Sequence, residues 1–344
     1  MRCIEIPPLF DAHVHLRDYP MMATVAPYTD RCCAYALVMP NTDPPLTTTP
    51  RLHNYLGYLG DLKRARPLVA FMLTDATTAQ MVRDLHAAGA FAGKLYPKGA
   101  TTNSSDGVTL LNLKPCVNNS CVLRAIAEME KLDMPLCMHG ECPEAFCMDR
   151  EGEFINNFYD LRRCFPKLRM VLEHITTKVA VNFIRRNNDG RTAATITLHH
   201  LLLTLDDVIG GLIRPHNFCK PIPKWPQDRD ALLAAAFGTE PFFFLGSDSA
   251  PHFRILKECA SGCAGVFSAP ALVEGLVGLA DKMGVNPNRL AEFATNRACD
   301  FYHLPRPCGK LSLVEDSWAV PAEIGGVVPF MAGQQMQWRL EGNS

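Results

Sequence analysis

The sequence predicts an α/β protein whose core is a (β/α)8 barrel of the TIM type, folded as a single domain over residues 1–344. The chain has 344 residues, of which 48% are hydrophobic and 20% are charged, so it can bury one large core. Short apolar runs recur along it, and helix-like stretches lie between several of them. Alternating buried strands and helices are typical of a parallel sheet, and eight such units in roughly 250 residues fit a barrel.

Each predicted strand is a short apolar run that ends at a polar side chain or a loop. The eight runs are residues 8–12, 35–39, 68–73, 91–95, 135–138, 170–172, 193–196 and 242–245. The predicted helices are residues 78–88, 122–132, 155–165 and 178–186. From residue 272 onward the pattern indicates helices and a tail. A doubly wound open sheet is the alternative fold, but no GxGxxG or P-loop pattern follows any of the strands.

Charge and cysteine content restrict the possible partners and compartment. The formal net charge is -1 with scattered Lys and Arg, which argues against nucleic acid or a membrane as the main partner. A small carboxylate remains possible, because one arginine can bind it. The N-terminal segment has no signal-peptide pattern. We interpret the 14 cysteines as reduced thiols, with disulfides or a Cys-zinc site as the alternative, and therefore expect a cytoplasmic protein.

The strongest chemical signal is the segment DAHVHLRD, which contains His13 and His15. Residues two apart on a strand project from the same face, so both imidazoles can converge on one ion. A His-x-His pair alone is often a surface feature or a hydrogen-bonded core pair. The metal interpretation therefore depends on what the other strands carry.

Further ionisable side chains follow apolar runs at the ends of other predicted strands: Lys94, His139, His174 and Asp248. Taken singly, each could be a cap, a salt bridge or a hydrogen-bonded core group, because burial without a partner is costly. Together with the His-x-His pair they fall on strands 1, 4, 5, 6 and 8 of one barrel rim, where TIM-barrel active sites form. Imidazole and carboxylate ligands favour zinc, so we predict a metal centre there.

Lys94 needs a separate explanation, because an ammonium group repels cations. Burial and nearby cations would favour the neutral amine, which can react with CO2 to form a carbamate that bridges two metals. A substrate-binding cation or a Schiff-base lysine is the alternative, although a Schiff-base enzyme would not need the histidines.

In chain order, several segments resemble the short single-domain class of dihydroorotases in the amidohydrolase superfamily: DAHVHLRD, MPNTDPP, KLYPKGATTNSS, MHGE, LEHITT, ATITLHHL, RPHNFCKPIPK, GSDSAPH and GCAGVFSAP. The match runs over about residues 9–270. The resemblance implies reversible hydrolysis of (S)-dihydroorotate to N-carbamoyl-L-aspartate in pyrimidine biosynthesis. It also implies a homodimer and no separate β-sandwich domain.

The resemblance implies two zinc ions per subunit, held by six side chains: His13, His15 and Asp248 on the more buried ion, His139 and His174 on the second, and carbamylated Lys94 (N6-carboxylysine) bridging both. A hydroxide between the ions would be the nucleophile. Asp248 would act as general base and then as general acid.

The resemblance also implies the substrate contacts: Arg17, Asn41 and His252 for the carboxylate, backbone groups of Lys220 and Ala264 for the ring amide, and Thr101 and Thr102 at the tip of a mobile loop. An Arg17–Asp18 salt bridge is the alternative for the arginine. Lys220 departs from the family pattern, because an apolar residue is expected there, and residues 110–120 look longer than the usual connection.

Two other functions stay open at this point. A hydantoinase or allantoinase could use the same metal centre, but those relatives typically carry an extra β-sandwich, and Arg17 with Asn41 favours a ring that bears a carboxylate. A catalytically inactive relative acting as a scaffold would usually lack a ligand, and none is missing here. We expect His200 to be structural or to support a metal ligand, with direct metal binding as the alternative, and Tyr96 is a candidate for the pocket wall.

Overall fold

The computed structural model describes residues 2–114 and 120–342, and within these ranges it contains the predicted barrel. The strands, in chain order, are β1 (Cys3–Ile6), β2 (Leu9–Val14), β3 (Cys33–Val38), β4 (Arg66–Met72), β5 (Ala92–Leu95), β6 (Leu136–His139), β7 (Met170–Glu173), β8 (Thr192–Ile196), β9 (Phe243–Leu245), β10 (Leu311–Ala319) and β11 (Gln335–Leu340). Strands β2 to β9 form one parallel sheet in sequential order. All eight predicted barrel strands are therefore confirmed, with ends shifted by one or two residues.

Hydrogen bonds between the end of β2 and the segment after β9 close the barrel. The amide of Asp248 donates to the carbonyl of His13 at 2.8 Å, and the amide of His15 donates to the carbonyl of Ser249 at 3.0 Å. The buried carboxylate of Asp11 accepts the amide of Ser247 at 2.8 Å and its hydroxyl at 2.6 Å. This seam holds the His-x-His strand against the loop that carries Asp248.

The helices lie between the strands, as the alternating pattern predicts. They are α1 (Met21–Asp30), α2 (Thr49–Leu59), α3 (Ala79–Ala87), α4 (Cys121–Lys131), α5 (Arg150–Cys164), α6 (Lys178–Arg186), α7 (Leu198–Leu202), α8 (Asp206–Ile209), α9 (Pro226–Ala236), α10 (Arg254–Lys257), α11 (Leu272–Lys282), α12 (Pro287–Ala291) and α13 (Arg297–Tyr302), with a π-helical turn at Glu292–Asn296 and 3-10 turns at Leu110–Leu113, Pro215–Asn217 and Ala269–Ala271.

Local capping explains where several predicted helices begin. The hydroxyls of Thr78, Ser120 and Thr177 accept the backbone amide three residues ahead, at the starts of α3, α4 and α6. Such caps satisfy amides that the first helical turn leaves without a partner. The four predicted helices are confirmed, although α5 begins at Arg150, five residues before the predicted start.

The tail after the last helix contains a small sheet that the sequence analysis missed. Strand β10 pairs antiparallel with β1 (Cys3 opposite Val314) and with β11 (Leu313 opposite Leu340). Strand β11 alternates exposed and buried residues and packs on α11, with Trp338 fully buried. The alternation in QMQWRL was the available strand signal. The single-domain organisation stays a prediction.

The cysteines and the helix lengths can be compared with the expectations from the sequence. The cysteines within the described ranges are free thiols, and half a dozen of them are buried or packed in the core. Among the helices within residues 2–114 and 120–342, none combines the length and the apolar composition that a bilayer crossing requires.

Candidate active site

A narrow pocket lies at the carboxyl ends of the barrel strands. It is lined by His13, His15, Arg17, Asn41, Tyr96, Thr101, Thr102, His139, His174, Lys220, Asp248, Ala250, Ala264 and Gly265. The structure thus brings together most of the residues that the sequence analysis selected. Lys94 lies buried in the barrel beside this pocket, and His252 lines the adjoining cleft with Arg17 and Asn41.

His13, His15 and Asp248 form a compact donor cluster on the pocket floor. The Nε2 atoms of the two histidines lie 3.2 Å apart, and Asp248 Oδ1 lies 3.1 Å from His15 Nε2 and 3.4 Å from His13 Nε2. Ligands bound at ~2.0–2.1 Å to a tetrahedral zinc are separated by ~3.3 Å. The three donors therefore already have the spacing that one zinc ion requires.

The protonation states in this cluster suit metal binding. Burial lowers the pKa of His13 and His15, and also that of His174 nearby, which favours the neutral imidazole that binds a cation. Burial opposes ionisation of Asp248, but hydrogen bonds from His13 and His15 hold the pKa of its carboxyl well below its usual range. The imidazole lone pairs and the negative charge of the carboxylate are thus directed at the same point.

A second group of donors surrounds His174. Its ring lies 4.9 Å from the ring of His13 and 4.8 Å from that of His139, measured between centroids. His13, His174 and Glu173 also present donor atoms close enough to share an ion. Nδ1 of His174 is buried and has no hydrogen-bond partner among the described residues. Because a buried polar atom without a partner is costly, the orphaned nitrogen fits a site for a second cation.

Two buried glutamates complete this region, and the sequence analysis missed both. Glu141 accepts from Nε2 of His139 at 2.7 Å, which leaves Nδ1 of that ring to bind an ion. Glu173 contacts Nδ1 of His13. Carboxylates that hold metal-binding histidines fix the ring orientation and the tautomer. The available signal was a glutamate inside each of the segments MHGE and LEH.

Lys94 is fully buried on β5, inside the barrel. Its Nζ lies 3.3 Å from Oε2 of Glu173 and 5.0 Å from the centre of the Tyr96 ring. Burial lowers the pKa of Lys94 to about 7, so a large fraction of the protein molecules carry this side chain as a neutral amine near neutral pH. A neutral amine is the form that reacts with CO2, so the environment suits the predicted carbamate.

Three residues that line the pocket have an unusual backbone conformation. Arg17, His174 and Asp248 have positive φ angles of 62°, 41° and 42°. Non-glycine residues rarely adopt this region, and such residues cluster at active sites where the surrounding structure holds them. Strand periodicity carries no information on these angles, so the sequence pattern does not predict them.

Arg17 is held by acceptors on the loop after β9. Its Nε donates to the carbonyl of Pro251 at 3.0 Å, and its Nη2 lies 3.1 Å from Nε2 of His252. Burial and the neighbouring guanidinium lower the pKa of His252 to about 2, so its neutral ring can accept this hydrogen bond. Asp18 pairs with Arg51 at 2.5 Å, so the alternative Arg17–Asp18 salt bridge is wrong.

The loop of residues 97–108 lies against the pocket. The side-chain amide of Asn41 donates to the carbonyl of Thr102 at 3.2 Å, and that of Asn103 donates to the carbonyl of Asn41 at 3.2 Å. Thr101 and Thr102 line the pocket, and Asn41 anchors the loop that carries them. The following segment begins with the turn Leu110–Leu113. Most of the rest of the predicted long connection, residues 115–119, lies outside the described residues.

A second buried histidine pair lies on α7. His200 contacts the Thr197 hydroxyl at 2.9 Å through Nδ1 and the carbonyl of Pro221 at 3.0 Å through Nε2. Both of its nitrogens are thus hydrogen-bonded, which agrees with the structural role predicted for His200. Neither ring nitrogen of His199 has a hydrogen-bond partner among the described residues.

Comparison with known proteins gives a consistent result. No family model matches the chain. The chain is 42% identical over 343 residues to a dihydroorotase of Methylobacillus flagellatus, covering 96% of each sequence. The crystal structure of a Campylobacter jejuni dihydroorotase superposes with a TM-score of 0.89 at 35% identity, covering 99% of this chain and 98% of that one. A Saccharomyces cerevisiae dihydroorotase in complex with 5-fluoroorotic acid also gives a TM-score of 0.89, at 29% identity, covering 99% of this chain and 100% of that one.

Proposed function

The chain belongs to the dihydroorotase family of cyclic amidohydrolases, and from this premise we propose how its pocket carries out the reversible hydrolysis of (S)-dihydroorotate to N-carbamoyl-L-aspartate. The observation that carries the proposal is the convergence of four histidines, a buried lysine and an aspartate at one barrel rim. Each of these side chains lies at or directly after the carboxyl end of a barrel strand, so the fold itself sets their spacing.

The donor set fits two zinc ions. His13, His15 and Asp248 would hold one ion, His139 and His174 the other, and carboxylated Lys94 would bridge them. When bound, such a pair supplies a polarised carbonyl and an acidified water near neutral pH. The spacing of the first three donors, the orphaned Nδ1 of His174 and the lowered pKa of Lys94 support this assignment.

Asp248 is the proposed proton carrier. Its carboxylate lies on the pocket floor, where its contacts with His13 and His15 hold its direction. It would accept the proton of the attacking water and return it to the ring nitrogen as the amide bond breaks. In the reverse direction the same group would take a proton from the ureido nitrogen of N-carbamoyl-L-aspartate and release water as the ring closes.

Arg17 and Asn41 would orient the substrate through its carboxylate. The guanidinium is held in place by the carbonyl of Pro251 and by His252. The side-chain NH2 of Asn41 donates one hydrogen bond to the carbonyl of Thr102 and would donate its second N–H to the carboxylate. A fixed guanidinium binds a carboxylate with two hydrogen bonds, which aligns the ring amide with the donor cluster. Backbone groups of Ala264 and Lys220 would hold the ring amide, so the charge of the Lys220 side chain need not enter the pocket.

We also propose that the protein acts as a homodimer in the cytoplasm, with the barrel and the small sheet forming one domain. Exposed apolar side chains in the segment after α8 and on α10 support self-association: Leu212 is 86% exposed, and Ile213 and Ile255 are each 75% exposed. Exposed apolar side chains are typical of an interaction surface where they form a contiguous patch.

Metal analysis combined with a spectrophotometric assay tests the proposed function. The purified protein should contain two zinc ions per chain and interconvert dihydroorotate and N-carbamoyl-L-aspartate. Dihydrouracil lacks the carboxylate that Arg17 would bind, so it should be a poor substrate. Equal turnover of both rings would instead indicate a hydantoinase-like specificity, and bound zinc without turnover of either ring would indicate a scaffold.

A further inference from the structure

Lys257, the last residue of α10, is a buried cation that no step of the proposed reaction uses. Its side chain is 4% exposed, and its Nζ donates to the carbonyls of Phe218 at 3.2 Å, Cys263 at 3.0 Å and Gly265 at 2.5 Å. All three donors of the ammonium group are therefore used on backbone oxygens. Burying a charge in this way is costly, so the arrangement calls for an explanation beyond packing.

The three carbonyls belong to two loops that both reach the pocket. The first loop is residues 218–220, and the second is residues 263–265. Lys220 of the first loop and Ala264 and Gly265 of the second line the pocket. The loops also bond directly, because the amide of Gly265 donates to the carbonyl of Phe218 at 2.9 Å. Lys257 thus joins the two backbone segments that would hold the ring amide of the substrate.

The peptide between Cys263 and Ala264 links the lysine to the pocket most directly. In a trans peptide the carbonyl and the N–H point in opposite directions. The Cys263 carbonyl accepts from Lys257, so the Ala264 N–H of the same peptide points away from the lysine. A charged donor on the carbonyl also polarises the peptide and makes its N–H a stronger donor.

We propose that Lys257 is a positioning residue for dihydroorotate, which sets the orientation and donor strength of the backbone that binds the ring amide. This inference rests on the proposed contacts of Ala264 and Lys220 with the substrate. Burial lowers the pKa of Lys257 to about 8, so the side chain remains mostly cationic at neutral pH.

The test is steady-state kinetics of Lys257→Met, which keeps the length of the side chain and removes its charge and donors. We expect KM for dihydroorotate to rise about tenfold while kcat changes less than threefold and zinc content stays at the wild-type value. Lys257→Arg restores a charged donor and should recover part of the KM. The matched control is Arg254→Met on the same helix, whose side chain pairs with Glu323 at 2.7 Å and should leave KM unchanged.

Several outcomes would overturn the inference. An unchanged KM in Lys257→Met would remove the residue from substrate binding, and so would equal losses in Lys257→Met and Lys257→Arg. If Lys257→Met does not fold, the KM of Lys257→Gln is measured instead. If circular dichroism shows that neither variant folds, Lys257 contributes to stability only, and the inference is refuted. Wild-type enzyme that fails to turn over dihydroorotate would refute the proposed function instead, so the two failures can be told apart.

Discussion

Substitution of Gly265 by alanine gives a sharp prediction about the packing of the pocket wall. Gly265 has a φ of 149°, and a Cβ there would lie 2.4 Å from the carbonyl oxygen of Ala250 and 2.9 Å from Cδ2 of His252. Ordinary contact begins at 3.4 Å, so the backbone would have to move by about 1 Å. Both Gly265 and Ala250 line the pocket, so either movement changes its shape.

The expected size of the effect follows from this displacement. A misplacement of ~1 Å in a substrate-positioning group can lower the rate by ~10²-fold, and a strained φ adds ~1–3 kcal/mol of destabilisation. We therefore expect kcat/KM for dihydroorotate to fall about 100-fold in Gly265→Ala, while the zinc content stays at the wild-type value. The assay is the change in absorbance as the ring opens, with zinc measured in the same preparation.

Two glycines provide matched controls. Gly190 has a φ of 79° with nothing within 4 Å of an added Cβ, so Gly190→Ala isolates the conformational strain. Gly152 lies inside α5 with similarly open space, so Gly152→Ala should raise stability by ~1 kcal/mol. Both should keep wild-type kcat/KM. A Gly265→Ala enzyme with kcat/KM within threefold of wild type would refute the packing argument.

The remaining predictions concern the reacting groups and the loop. Asp248→Asn should lower ring-opening kcat by ~10²–10⁴-fold because a general base and acid is lost, and retention of near-normal kcat would exclude that role. Lys94→Ala should lose zinc and activity together, and added acetate or another short carboxylic acid should partly restore both; full activity without additives would exclude a bridging carbamate. Replacing Thr101 and Thr102 with alanine should lower turnover far more than zinc content, since loop contacts close the site, and unchanged kinetics would remove the loop from the mechanism.

Much of the barrel and its rim could be predicted from the sequence, because the signals for them lie in short stretches of the chain. A buried strand is a short apolar run, and an ionisable residue directly behind it needs a partner. His139 and Asp248 follow this rule, and they lie where the rule places them. The His-x-His pair is predictable for the same reason, since strand geometry alone puts His13 and His15 on one face.

The parts that were missed depend on contacts between distant segments. Strand β1 pairs with β10 from the far end of the chain, and the nine residues of β10 carry no clear alternation of their own. Asp11 reads as one more polar residue in DAHVH, yet its carboxylate joins the first barrel strand to Ser247 beyond the last one. The positive φ at His174 is likewise imposed by tertiary packing rather than by local propensity.

The central claim is a pair of metal ions held by histidines, an aspartate and a modified lysine. Anomalous diffraction at the zinc absorption edge, from crystals grown with zinc and bicarbonate, tests it most directly. The account predicts two anomalous peaks, one beside His13, His15 and Asp248 and one beside His139 and His174, with carboxylate density on Lys94 between them. A bare Lys94 amine and no anomalous peak at this rim would contradict it.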